Sequence, residues 1–229
     1  MRYENALIVG AGAGLSASLA RLLARKGLRV ALAARDTGKL AALCRETSAR
    51  AFTCDAAQPD QVARVFEQLD NETGAPDVVV YNPSARARGP FVDLVPADVE
   101  RSMAVTAMGA FLVAQQAVRR MLPKKHGAIL FTGASASVKG YAQSAPFAMG
   151  KFAVRGLAQS MARELAPKGI HVAHFVIDGA IRKGDDVGSK EDDSALRPDA
   201  IAQSYLQLYR QPRSAWSWEL ELRPWLERF

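Results

Sequence analysis

Phe147 and Lys151 stand four residues apart in the stretch APFAMGKFAVRGLAQSMAREL, residues 145–165, whose apolar positions recur at helical spacing. An i, i+4 pair shares one helix face. An ammonium placed there can hold hydroxyl groups of a ligand or tune a neighbouring acid. The phenyl ring beside it has no proton to give. The small-residue loop Thr132-Gly133-Ala134-Ser135-Ala136-Ser137 offers three hydroxyls, Thr132, Ser135 and Ser137. Thr106, in the preceding long helical pattern, and Tyr141 are further candidate donors. Tyr141 lies ten residues before Lys151, so helix periodicity does not pair them.

A second chemistry-bearing stretch opens the chain. The apolar run Ala6-Leu7-Ile8-Val9 meets Gly10, Gly12 and Gly14, and Leu15, Leu19, Leu22 and Leu23 follow at helical spacing. Strand, glycine turn and helix form the opening unit of a dinucleotide-binding sheet. Glycine lets the backbone turn sharply and approach a pyrophosphate, which then meets the amides of the helix start, here Leu15 and Ser16. The spacing is imperfect. Counted from Gly10, G-x-G-x-x-G reaches Leu15; counted from Gly12, it ends on Ala17.

Strand and helix patterns then alternate with short connections, the sign of βαβ units. Strands are expected at Arg29–Ala33, Arg50–Cys54, Val78–Tyr81, Ala128–Phe131, Ile170–Ile177 and Trp216–Leu222. Val78-Val79-Val80-Tyr81 is apolar throughout, as a strand covered on both faces should be. Unbroken helices are expected over about residues 97–122 and 145–166. Asp36 is expected to cap the helix carrying Leu40 and Leu43. The fold class is therefore α/β: a Rossmann-type, doubly wound, seven-stranded parallel sheet with helices on both faces. A single dinucleotide-binding domain is expected over residues 1–229, with a polar, mobile loop at about 180–197 that includes KGDDVGSKEDDS.

Composition narrows the function classes. Net charge is +7, but the basic residues are scattered and no basic stripe is interleaved with aromatics, which argues against nucleic acid. No apolar run reaches the ~18 residues of a membrane helix. The N-terminus enters a strand directly, without the layout of a signal peptide. Cys44 and Cys54 have no metal-ligand spacing and read as reduced thiols of a cytoplasmic protein. His126, His171 and His174 make no metal cluster, and His171 and His174 should face opposite sides of their strand. The five methionines of the two long helices read as core or subunit packing.

With these positions in order, the chain resembles the short-chain dehydrogenase/reductase family along nearly its whole length. Gly10 and Gly14 stand for the glycine motif, and Asp55, followed by Ala56, for the acidic position at adenine. Asn82 is the retained residue of the N-N-A-G turn, Lys151 is the lysine of Y-x-x-x-K, and Asp178-Gly179 replaces the Pro-Gly turn beside the nicotinamide. The resemblance implies that Lys151 holds ribose hydroxyls, that Gly179 borders the nicotinamide, and that Ser135 and Thr106 occupy the places of the catalytic serine and asparagine. Phe147 occupies the place of the catalytic tyrosine. With its end RSAWSWELELRPWLERF, the chain is similar to a subgroup that pairs phenylalanine with this lysine.

Two functions follow as expectations. One is an NAD(P)-dependent oxidoreductase with altered acid chemistry, reducing a carbonyl or conjugated double bond of a small molecule or acyl thioester. Arg86, Arg88 and Lys183 would then meet an anionic carrier at the pocket mouth. The other is a catalytically inactive dinucleotide-binding sensor or partner subunit. The second strand ends Leu32-Ala33-Ala34-Arg35-Asp36, with no acid at Ala34 and a guanidinium next to it, so NADP(H) is expected over NAD(H). Gly109, Ala110, Ala114, Ala153, Gly156 and Ala162 would permit close helix approach in a homotetramer or homodimer.

Overall fold

The computed structural model describes residues 3–182 and 193–227. Seven strands form one parallel sheet in the order β3-β2-β1-β4-β5-β6-β7. They are β1 (Asn5–Val9), β2 (Arg29–Ala34), β3 (Arg50–Thr53), β4 (Val78–Tyr81), β5 (Gly127–Thr132), β6 (Ile170–Ile177) and β7 (Glu219–Leu222). The helices between them are α1 (Leu15–Arg25), α2 (Ala41–Thr47), α3 (Pro59–Glu72), α4 (Pro96–Met103), α5 (Gly109–Met121), α6 (Ala145–Leu165) and α7 (Pro198–Tyr209).

Strand alternation splits the core into two layers. Ala6, Ile8, Val30 and Leu32 face α1 and α7, where Phe175 stacks on Tyr205 with ring centroids 3.6 Å apart. Leu7, Val9, Val79 and Tyr81 face α3, α5 and α6. All four β4 residues are buried, as their unbroken apolar run requires. Strand order reverses beside β1, which pairs with β2 through Val9↔Ala33 and with β4 through Val9↔Tyr81. A crevice at such a reversal, outside the strands' carboxyl ends, is where ligands bind in sheets of this kind.

Four expectations need correction. The helix expected over 97–122 is interrupted by a π turn, Ala104–Met108. The Tyr81 hydroxyl donates to the Val105 carbonyl and takes it out of the regular helix ladder. The last strand is Glu219–Leu222, because Trp216 instead stacks on His171 and Ser217 donates its N–H to Gln211. Asp36 does not cap α2 directly. Its carboxylate accepts from the Gly38 N–H at 3.1 Å and so starts the short 3₁₀ turn Gly38–Leu40 that leads into the helix. Gly109, Ala110 and Ala114 are buried within the chain, so they shape its own core and not an outer helix face.

Candidate functional site

The cleft at the end of β1 encloses about 510 Å³. Its floor is the turn after β1. Gly10 has φ +78°, and a Cβ there would stand 2.7 Å from Pro83. The Gly10 and Ala11 N–H groups both donate to the Ala33 carbonyl, at 2.9 and 3.0 Å, which fixes the turn. A Cβ at Gly12 or Gly14 would meet nothing within 4 Å. At the start of α1, Ala17 and Ser18 already donate to the Gly14 carbonyl. The Leu15 and Ser16 amides are first-turn donors that a helix leaves unpaired, suited to an anion.

Ser16 offers only its backbone. Its hydroxyl donates to the Gly10 carbonyl at 3.0 Å and accepts from Asn82 Nδ2 at 2.7 Å. The two side chains therefore lock the glycine turn to the loop after β4. On the opposite wall, Asp55 accepts the Ala57 N–H at 3.0 Å and lines the cleft with Ala56. At the β2 end the cleft meets Arg35, Asp36 and Lys39. Lys39 pairs with Asp36 at 3.1 Å and, as its main hydrogen-bond partner, holds that carboxyl below the usual range. Lys39 is a second cation that sequence reading passed over. The signal was available, since i, i+3 spacing from Asp36 on a helical turn brings the two together.

Beyond Asn82 the loop carries the cleft wall towards α6. Ala85 is held on both sides: its N–H donates to Thr106 Oγ1 at 3.0 Å, and its carbonyl accepts from Ser102 Oγ at 2.9 Å. Thr106 is fully buried, and a Cβ at Gly150 would stand 2.9 Å from it. Arg86 follows and lays its guanidinium over the Phe147 ring, 4.1 Å from the centroid. Lys151 Nζ lies 5.9 Å from the same centroid and donates to the Thr132 carbonyl at 2.6 Å. Phe147 is 7% exposed and Lys151 3%. Burial, assisted by the Arg86 charge, brings the Lys151 ammonium down to about 7.

The structure separates the three hydroxyls of the β5 loop. Thr132 Oγ1 is hydrogen-bonded to the Tyr205 hydroxyl at 2.8 Å. Ser137 is fully buried and accepts the Ala134 N–H at 3.2 Å. Ser135 remains half-buried, with its side chain uncommitted among the described residues. Tyr141 stays exposed near Lys139.

Sequence reading also missed a partly buried chain of polar groups beneath this loop. Ser137 Oγ lies 3.2 Å from His174 Nε2, His174 Nδ1 lies 3.0 Å from Glu219, and Glu219 takes two hydrogen bonds from Arg155 at 2.7 and 2.8 Å. The partners are up to 64 residues apart and meet only through the β6–β7 register, His174↔Glu219. Gly133 has no room for a side chain because His174 fills the space. Although it arranges serine, imidazole and carboxylate in order, Ser137 is sealed from solvent and cannot reach a substrate.

Asp178 is buried between Lys139, 3.6 Å away, and Arg223, 3.5 Å away. Gly179, at φ +143°, packs against Pro224, and a Cβ there would stand 2.7 Å from it. Of the polar loop expected at 180–197, the ends are paired: Arg182 and Leu196 exchange a backbone bond, as do Leu196 and Ala180. Lys183 and the rest of 183–192 lie outside the described residues. Among the described residues no three His, Cys, Asp or Glu side chains are grouped to hold a metal, and no helix is long and apolar enough to cross a membrane.

A doubly wound parallel sheet with a glycine-floored crevice at its reversal defines a dinucleotide-binding scaffold. The family model for short chain dehydrogenase matches residues 4–182, and the chain belongs to that family. The solved short-chain dehydrogenase from Rhodopseudomonas palustris is 33% identical, with a TM-score of 0.84 over 98% of this chain and 100% of that one. A metagenomic short-chain oxidoreductase in complex with NADP is 27% identical, with a TM-score of 0.85 over 97% and 98%. The 3-oxoacyl-[acyl-carrier-protein] reductase MabA of Mycobacterium tuberculosis is 30% identical over 78% of this chain and 69% of its own.

Proposed function

We propose that this chain is an NADP(H)-dependent reductase of small carbonyl or conjugated double-bond compounds whose proton handling has moved from position 147 to Lys151. The observation that carries the reading is the buried Lys151 beside Phe147, with a proton affinity near neutral pH. Open space over Gly12 and Gly14 and the unpaired donors of the helix start fit a pyrophosphate. Gly10, Gly12, Gly14 and the Leu15 and Ser16 amides would hold it, with Asp55 and Ala56 at the adenine. Arg35 and Lys39 would hold a 2′-phosphate, and Asn82, Gly179 and Lys151 would frame the nicotinamide ribose. When bound, the reduced cofactor supplies the hydride.

The chain's own groups have the remaining duties. Ser135 donates a hydrogen bond to the substrate oxygen, the role its uncommitted hydroxyl suits. Lys151 has one N–H on Thr132 and two more to offer, and it holds a transferable proton at Nζ while it is an ammonium. Phe147 keeps the ring's shape and excludes water. Thr106, with its oxygen on Ala85, positions the loop. Proton supply is full below about 7 and is lost as pH rises through that value. The test is NADPH oxidation with a panel of ketones and enones by the wild type and by Lys151→Met. Turnover in the wild type that collapses in the variant supports the reading; equal turnover refutes it.

One observation favours a second reading, a dinucleotide-binding sensor or inactive partner subunit. Position 147 has no proton, and Thr106 is sealed from solvent. Tight NADPH binding with no turnover on any of the panel would establish it. Under either reading the chain forms a single domain and a homotetramer or homodimer. The exposed Met108, Phe111, Met149 and Phe152 on α5, its preceding π turn and α6 support that assembly.

A further inference from the structure

We propose that Arg86, stacked on Phe147 beside Lys151, is the anchor for a carboxylate of the substrate, so that the site takes small oxo acids and enoic acids in preference to uncharged ketones. The inference rests on the reductase reading and names its substrate class.

Arg86 is held for a purpose its own neighbours do not supply. The backbone before it is pinned by Thr106 and Ser102, so the side chain leaves a fixed point. Its guanidinium face is taken by the Phe147 ring at 4.1 Å. Among the described residues no carboxylate lies within 4.0 Å of it, although thirteen ion pairs of Lys or Arg are formed elsewhere. The charges that bear on it are cations: Arg88 on its own loop and Lys151 across the ring. Asp178, a buried acid after β6, is already held by Lys139 and Arg223. Arg86 is exposed and has no protein counter-charge among the described residues, so its charge is open to an anion.

The shape of the group selects the anion. A guanidinium stacked on an aromatic face still presents its N–H edges, and a planar carboxylate accepts two of them at once. A carboxylate held by Arg86 leaves the reducible carbon of an oxo or enoic acid one or two bonds away, on the Phe147 ring that Lys151 also borders. An ester of the same acid keeps the size and loses the charge.

The experiment is titration of the protein, with and without saturating NADP⁺, which fills the cofactor site but supplies no hydride, with pyruvate, acetoacetate and crotonate and with their methyl esters, for the wild type, Arg86→Gln and Arg86→Lys. NADPH affinity is measured on the same samples. The wild type is expected to bind the acids at least about tenfold more tightly than the esters. Arg86→Gln should lose that preference, and Arg86→Lys, which keeps the charge but not the fork, should retain part of it. Equal binding of acids and esters, failure of every acid to bind, or a preference that survives in Arg86→Gln overturns the anchor. Acid binding seen only without NADP⁺ assigns the anion to the cofactor's phosphate site and overturns it as well. Loss of NADPH binding in the wild type instead sinks the reductase reading itself, which keeps the two failures apart.

Discussion

Restoring a hydroxyl at position 147 tests how much of the reductase apparatus is intact. Phe147→Tyr adds one oxygen at the ring edge of a residue that is only 7% exposed. That ring already lies 4.1 Å from the Arg86 guanidinium carbon and 5.9 Å from Lys151 Nζ, measured to its centroid. A phenol titrates near 10 in water, and an opposite charge within ~4–6 Å of an acid lowers its pKa by about 1–3 units. With the Arg86 cation in range, and Lys151 largely neutral above about 7, the new phenol should titrate between about 7 and 9. A general acid positioned in that range contributes roughly 10²–10⁴-fold to proton transfer. We therefore expect ketone reduction to rise at least about a hundredfold, with a pH profile that follows the phenol and not Lys151. NADPH oxidation across pH 6–10 (about that span) and ultraviolet titration of the tyrosinate measure both. A phenol that titrates at its ordinary value near 10, with ketone reduction unchanged, would refute the argument that the Arg86 charge governs this position.

Three further outcomes are expected. NADPH should bind more tightly than NADH, and the double variant Arg35→Ala/Lys39→Ala should weaken NADPH by at least about tenfold while leaving NADH unchanged; fluorescence titration with both cofactors decides. His174 is held neutral by burial, its pKa pushed down to about 4 from 6.5, so the unfolded chain binds the extra proton first as pH falls. Its contribution to stability is complete above about 6.5 and declines as pH falls towards 4, by as much as about 3 kcal/mol, and urea unfolding of His174→Asn should lack that decline. Light scattering should show a homotetramer or homodimer, reduced to monomers by Met149→Lys with Phe152→Lys, since these side chains are 49% and 44% exposed on α6.

The sheet was legible because each strand and helix declares itself locally. Ala6 to Val9, the glycines and the Leu15 to Leu23 pattern carry their own periodicity, and Val78 to Tyr81 needed only its unbroken apolar run. Lys151 and Phe147 were legible because i, i+4 spacing is itself geometry. What escaped depends on contacts between distant segments. Glu219 reaches His174 only through strand register, and the π turn at Thr106 depends on Tyr81, 24 residues upstream of its partner Val105. The elimination of Ser137 and Thr132 in favour of Ser135 likewise needed the positions of His174 and Tyr205.

The π turn after α4 also acts as a phase shifter. One residue added to a helix rotates everything beyond it by about 100°. Here that rotation lets α5 present Ala110, Ala114 and Ala117 to the sheet while Phe111 looks outward. Tyr81 maintains the offset by engaging the Val105 carbonyl. Tyr81→Phe removes that hold, and a helix that healed itself would turn Phe111 and the alanines out of phase by the same angle. The unit of change for this segment is thus a single inserted or deleted residue. A deletion between Ala104 and Met108 paired with Tyr81→Phe should be tolerated better than either change alone.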